Sequence, residues 1–193
     1  MVPALISFLR KFSIISALLT ACLPSPCVGL NHPVNETKRS AALLGALEIS
    51  AGVYHNQTDN PSLKKTVLIT GCNHGYLPFL HNFKCFIDRL NLKLLVISMD
   101  HRTHSHIENK LSSTLKSFLW IGEQTVQESF ATFRSPQFNV ITHAKTSYTH
   151  AILSLGYDVI FIDLDIALVR DPLPYLFWEG VDYVFTHNKI CPQ

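Results

Sequence analysis

An unbroken apolar run, Val159-Ile160-Phe161-Ile162, stands between Gly156 and the carboxylates Asp163 and Asp165, and it restricts the fold more than any other stretch. β-Branched and aromatic residues in succession, with no polar face, read as a central strand buried on both sides, as in a parallel sheet covered by helices. Gly156 supplies the turn ahead of it. Strand side chains alternate, so Asp163 and Asp165 are expected on one side and Leu164 on the other. Two ionised groups beside a buried strand are costly to leave unpaired, and a divalent cation is a partner that keeps both charged. Asp-x-Asp alone occurs by chance in many chains as an exposed turn. Its position carries the information, because ligands of open α/β sheets bind beyond the carboxyl ends of the strands.

The chain upstream fits an α/β alternation. Thr66-Val67-Leu68-Ile69-Thr70 reads as a first strand running into the loop Gly71-Cys72-Asn73-His74-Gly75, which matches neither a dinucleotide fingerprint nor a P-loop. Tyr76, Phe79, Leu80, Phe83, Phe86, Ile87 and Leu90 recur at helical spacing, with Pro78 in the first turn, and predict a core-packing helix on which Cys85 is a small buried hydrophobe. Residues 92–99 read as a second buried strand closed by Asp100, and strand, helix, strand at this length implies a parallel pair. His101, His104 and His106 lack the spacing of a zinc site and read as a solvated loop start. Residues 107–122 are expected to be an amphipathic helix, and residues 123–138 a less regular connection carrying Ser135-Pro136, with no sequence signal that places it at the site. Ala144, Tyr148, Ala151, Ile152 and Leu155 mark a helix ended by Gly156. Residues 175–178 suggest a short helix and residues 181–186 a last strand.

With 193 residues, 47% hydrophobic and 16% charged, and a formal net charge of +2, the chain is neither disordered nor built for a polyanion. No basic stripe with interleaved aromatics is present, which argues against a nucleic-acid partner. Arg10 and Lys11 precede an apolar run over residues 12–23, followed by Pro24, Pro26 and small residues, the layout of a signal peptide. Residues 1–30 are therefore expected to be a signal peptide or a signal anchor, with membrane attachment through this segment as the second option. Residues 31–65 read as a stem or linker with a short helix over residues 41–49, and residues 66–193 as the domain. Acceptor sequons at Asn35 and Asn56 agree with a secretory route. Cys72, Cys85 and Cys191 are an odd number outside the leader, so one stays free or pairs elsewhere.

Lys145, the stretch over residues 156–166 and Arg170-Asp171-Pro172-Leu173 resemble the core of the nucleotide-diphospho-sugar transferase family, which includes plant and algal wall arabinosyl-, xylosyl- and galactosyltransferases. The resemblance covers residues 64–190. It implies an α/β fold of the GT-A, Rossmann-like type, with a mostly parallel sheet flanked by helices, in the secretory pathway and specifically the Golgi. It also implies a nucleotide-sugar donor, of the UDP-sugar class, a glycan or glycoprotein acceptor, and Mn²⁺ or Mg²⁺ held by Asp163 and Asp165 directly or through water. Retention of anomeric configuration is implied as well, with no nucleophile or acceptor base assignable. Carried onto this chain, the resemblance makes Thr70, Cys72 and Asn73 nucleotide contacts. Asp100 becomes a nucleoside contact, with a helix N-cap as its equal alternative. Lys145 becomes a partner of the diphosphate, with a snorkelling surface lysine as the alternative.

Family members continue through further strands and helices, whereas this chain stops at Gln193, so the donor half is expected here without the acceptor half. A non-catalytic secreted protein that keeps the fold is one alternative reading. The stretch Phe161-Ile162-Asp163-Leu164-Asp165-Ile166 also resembles the first motif of haloacid-dehalogenase-like phosphatases. Against that, Ala167 stands where Thr or Val is expected, and the 26 residues that follow leave little room for the remaining motifs.

Overall fold

The computed structural model describes residues 6–9, 33–51, 66–111, 114–122, 126–176, 181 and 183–185. Its elements in chain order are β1 (Ile6–Leu9), α1 (Pro33–Ala51), β2 (Thr66–Cys72), α2 (Leu77–Arg89), β3 (Leu94–Ser98), α3 (His101–Lys110), β4 (Leu115–Leu119), α4 (Pro136–Ser154), β5 (Asp158–Ile162) and β6 (Tyr183–Phe185). The strands form one sheet in the order β4-β3-β2-β5-β1-β6. Four of them, β4, β3, β2 and β5, are mutually parallel, and β1 joins β5 and β6 antiparallel. This is the α/β, Rossmann-like arrangement of the GT-A type.

The inner parallel strands β2, β3 and β5 are buried on both sides because helices cover both faces. Leu68 of β2, Leu94 and Val96 of β3, and Ile160 and Ile162 of β5 pack on one face with Leu80, Phe83 and Ile87 of α2 and Ile107 of α3. Val67 and Ile69, Leu95 and Ile97, and Val159 and Phe161 point to the other face, against Leu43 and Leu47 of α1 and Tyr148 and Ile152 of α4. A one-residue slip of any strand would exchange these two sets, so the register is fixed from both sides. The run that dominates the sequence, β5, pairs with β2 as Val67↔Val159 and Ile69↔Phe161.

Several expectations are corrected. Residues 107–122 are not one helix: α3 starts at His101, capped by Asp100, and residues 115–119 are a strand paired with β3. The three histidines therefore lie on α3 rather than at a solvated loop start. Ser117 is buried in β4 because its hydroxyl pairs with Ser98 Oγ at 2.7 Å, which replaces the water a polar residue would lose. Cys85 is exposed rather than buried, since α2 turns Leu77, Leu80, Phe83 and Ile87 inward and Cys85 falls on the opposite face. Residues 33–51 form a longer helix than expected, and it is packed: Leu43, Ala46, Leu47 and Ala51 are buried against the sheet.

The helix ends follow their local chemistry. Ser135 caps α4 by accepting a hydrogen bond from Phe138 N at 3.1 Å, with Pro136 next in the first turn. At the other end Gly156 takes φ 81°, the left-handed conformation expected of it, and turns the chain into β5. The apolar run over residues 12–23, Asn56, Cys191 and residues 177–178 lie outside the described residues, while Asn35 falls in the first turn of α1. Among the described residues no helix is long and apolar enough to cross a membrane.

Candidate functional site

The strand order places a crevice before any side chain is considered. From β2 the chain steps outward through β3 to β4, and α4 then returns it to β5 on the other side of β2. Loops leaving β2 and β5 at their carboxyl ends therefore diverge, which is the topological switch point where open α/β sheets bind ligands. One wall of the crevice follows β5 and the other follows β2.

On the β5 side the strand ends at Ile162, but its alternation continues: Leu164, Ile166 and Leu168 are buried, while Asp163, Asp165 and Ala167 are more open. Asp163 accepts a hydrogen bond from Lys145 Nζ at 3.0 Å, the two side chains being 34% and 29% exposed. Lys145 comes from α4 and its ammonium lies 3.6 Å from the centroid of the Phe161 ring, a cation–π contact on the same sheet face. Asp165 is exposed and makes no hydrogen bond or ion pair with a described residue. Its carboxylate nevertheless reaches Tyr76 electrostatically: burial first, and Asp165 after it, push that phenol above its ordinary range against the hydrogen bond to Ala131. These oxygens are the hard donors at this edge, and among the described residues no group of three or more His, Cys, Asp or Glu surrounds a point.

On the β2 side the polar side chains are buried. Thr70, Cys72 and Asn73 are each 1% exposed. Burial, reinforced by Asp100, pushes the Cys72 thiol far up, so it stays protonated, and it donates to Asn73 O at 3.2 Å. Asn73 Nδ2 donates to Gln127 O at 2.7 Å and to Ser129 O at 3.0 Å, fastening residues 127–129 across the loop. Asp100 caps α3 by accepting from Thr103 N at 2.7 Å and Thr103 Oγ1 at 2.8 Å, and it also accepts from His74 N at 2.8 Å. The N-cap alternative is thus the contact seen, and the same carboxylate locks the loop after β2 to the loop after β3.

Residues 126–131 form a wall that the sequence did not reveal. Gly75 meets it so closely that a Cβ there would lie 2.2 Å from Phe130 N, which leaves room for no other residue. Tyr76 Oη donates to Ala131 O at 3.2 Å, and its ring stacks on Phe130 with centroids 4.6 Å apart. Phe79 extends this cluster and, like Phe130, is exposed. Tyr148, one helical turn beyond Lys145, closes the floor: it is fully buried, and burial together with Asp163 keeps its phenol protonated. Its hydroxyl faces Gly71, where a Cβ would sit 2.5 Å from it.

The family model for nucleotide-diphospho-sugar transferase matches residues 90–191, just over half of the chain. Among curated proteins, the UDP-D-xylose:L-fucose alpha-1,3-D-xylosyltransferase 3 of Arabidopsis thaliana is 29% identical over 120 residues, covering 58% of this chain and 29% of the relative. A second Arabidopsis thaliana UDP-D-xylose:L-fucose alpha-1,3-D-xylosyltransferase is 29% identical over 132 residues, covering 64% and 33%. The beta-arabinofuranosyltransferase RAY1 of the same plant is 27% identical over 113 residues, covering 58% and 21%. The chain thus spans a third or less of the length of these relatives. No solved structure matches.

Proposed function

The chain belongs to the nucleotide-diphospho-sugar transferase family, and from that premise we propose that it binds a nucleotide-diphosphate sugar at the switch point and serves glycosyl transfer to a glycan or glycoprotein acceptor. The observation that carries this reading is the group Lys145, Asp163 and Asp165. It is the one charged constellation at this edge, among the described residues, whose side chains remain open to a ligand.

The donor set suits a hard divalent cation, Mn²⁺ or Mg²⁺. Such ions take oxygen ligands, and small ones are commonly held by one or two carboxylates with substrate phosphates and water completing the shell. Among the described residues nothing engages the Asp165 oxygens, and Asp163 is engaged only by the partly exposed Lys145, which a rotamer change frees. When bound, the cation would supply charge neutralisation for a departing diphosphate. Lys145 adds a second positive charge from the α4 side, and the Phe161 ring keeps that ammonium near the crevice when it leaves Asp163. The wall of residues 126–131, fixed by Asn73, Gly75 and Tyr76, limits water on the opposite side. Thr70, Cys72, Asn73 and Asp100 shape the pocket from beneath, so a nucleotide meets the loop they hold. The UDP-sugar class for the donor is supported by the UDP-D-xylose donor of the related xylosyltransferases. The leader-like run and the sequons support a secretory route, and the plant glycosyltransferase relatives support the Golgi as its station.

The double substitution Asp163→Asn, Asp165→Asn tests this reading by calorimetry with UDP and Mn²⁺. The variant is expected to keep its circular dichroism and melting temperature while its metal-dependent UDP affinity falls at least about tenfold, or 1.4 kcal/mol. Unchanged affinity would remove the two carboxylates from the site.

A further inference from the structure

On the sheet face opposite Lys145, α2 and α3 bring two imidazoles together. His81 Nε2 and His106 Nε2 lie 3.1 Å apart, with ring centroids separated by 5.1 Å and planes at 87°. His81 is exposed and His106 half-buried, and neither belongs to the switch-point crevice. Two nitrogens at this distance have two chemical uses. One ring donates its N–H to the other's lone pair, or both lone pairs serve one cation.

At a surface the first use gains little, because water satisfies each ring equally well and a typical net hydrogen bond is worth only about 0.5–1.5 kcal/mol. The second use matches the spacing. Imidazole nitrogens bound at about 2.0–2.1 Å around a tetrahedral ion are about 3.3 Å apart, close to what the two helices already hold. Both helices are anchored, so the pair is pre-positioned. Leu80, Phe83 and Ile87 seat α2 in the core. The Asp100 cap and the contacts of Glu108 with Lys116 Nζ at 2.8 Å and Ser117 N at 3.0 Å fix α3.

We propose that His81 and His106 form a two-imidazole site for a borderline transition ion, Zn²⁺ or Cu²⁺, bridging α2 and α3 and separate from the switch-point carboxylates. Imidazole nitrogen suits such ions, whereas the oxygens of Asp163 and Asp165 suit Mn²⁺ or Mg²⁺, so ligand type keeps the two sites distinct. Among the described residues no third His, Cys, Asp or Glu closes on the pair, which leaves the other coordination positions to water. An ion bound there ties two helices together and stabilises the folded state by linkage.

The test uses the full chain with the metal alone. Cu²⁺ is titrated and followed by electron paramagnetic resonance, and Zn²⁺ by calorimetry, for the parent, His81→Gln, His106→Gln and the Asp163→Asn, Asp165→Asn variant. The parent is expected to show a tightest Cu²⁺ equivalent with hyperfine structure from two nitrogens. Each glutamine variant is expected to weaken that equivalent at least tenfold and to remove one nitrogen, whereas the carboxylate variant leaves it unchanged. Both histidines lie on the outer surface, so circular dichroism is expected to be the same throughout. Glutamine variants that bind Cu²⁺ and Zn²⁺ as the parent does, or a parent spectrum with a single nitrogen, would overturn the proposal.

Discussion

The two sides of the crevice are built from similar residues and do opposite things. After β5, Asp163, Asp165 and Lys145 carry charge into the open and share one ion pair. After β2 and β3, Cys72, Asn73 and Asp100 are each under a tenth exposed, and the Cys72 thiol, the Asn73 Nδ2 group and the Asp100 carboxylate are engaged with neighbouring backbone and side chains. An acidic residue at the carboxyl end of a parallel strand therefore has no fixed meaning. Asp100 is a clasp because three donors converge on it, and Asp163 is available because, among the described residues, only a flexible lysine does. Ligand binding needs the second kind of side, and holding its geometry needs the first.

Substitutions on the two sides are expected to separate stability from binding. The largest effect on stability falls on the β3 side. Asp100→Ala removes the α3 cap and leaves His74 N without its partner, and is expected to lower unfolding free energy by about 3 kcal/mol, read from the urea midpoint at constant m. A loss under about 1 kcal/mol would mean the clasp is dispensable and the contrast between the sides is wrong. Lys145→Met is expected to change stability by less than about 0.5 kcal/mol, because its ion pair is a third exposed and screened. The same variant is expected to bind UDP with Mn²⁺ about tenfold more weakly, a difference of 1.4 kcal/mol. Full binding by Lys145→Met would assign the lysine to the surface and leave the carboxylates alone.

How far the sequence led can be followed residue by residue. β5 was legible because a run buried on both faces has one reading, and the two carboxylates were singled out from their place at its end, whereas Lys145 was pointed to only by the family resemblance. The α3–β4 boundary was hidden by coincidence: Ile107, Leu111, Leu115 and Phe118 keep helical spacing across a helix end and a strand. A buried serine then concealed the strand's alternation, since its partner Ser98 lies in a different element. Asn73 and Gly75 failed to announce the wall they hold because their partners are some fifty residues away, a contact no local pattern encodes. The pairing of His81 with His106 was invisible for the same reason. Cys85 was misplaced by assuming that every nonpolar residue of α2 shares its inner face, whereas its packed stripe is only four residues wide.

The measurement closest to the central claim is calorimetric titration of the full chain with UDP, with and without Mn²⁺, on protein first shown to be folded by circular dichroism and a cooperative melt. The account predicts saturable binding that requires the metal and weakens sharply when Asp163 and Asp165 are both replaced by asparagine. Equal binding with and without Mn²⁺, or no binding by the folded protein, would contradict the assignment of this edge as a metal-dependent nucleotide-diphosphate site.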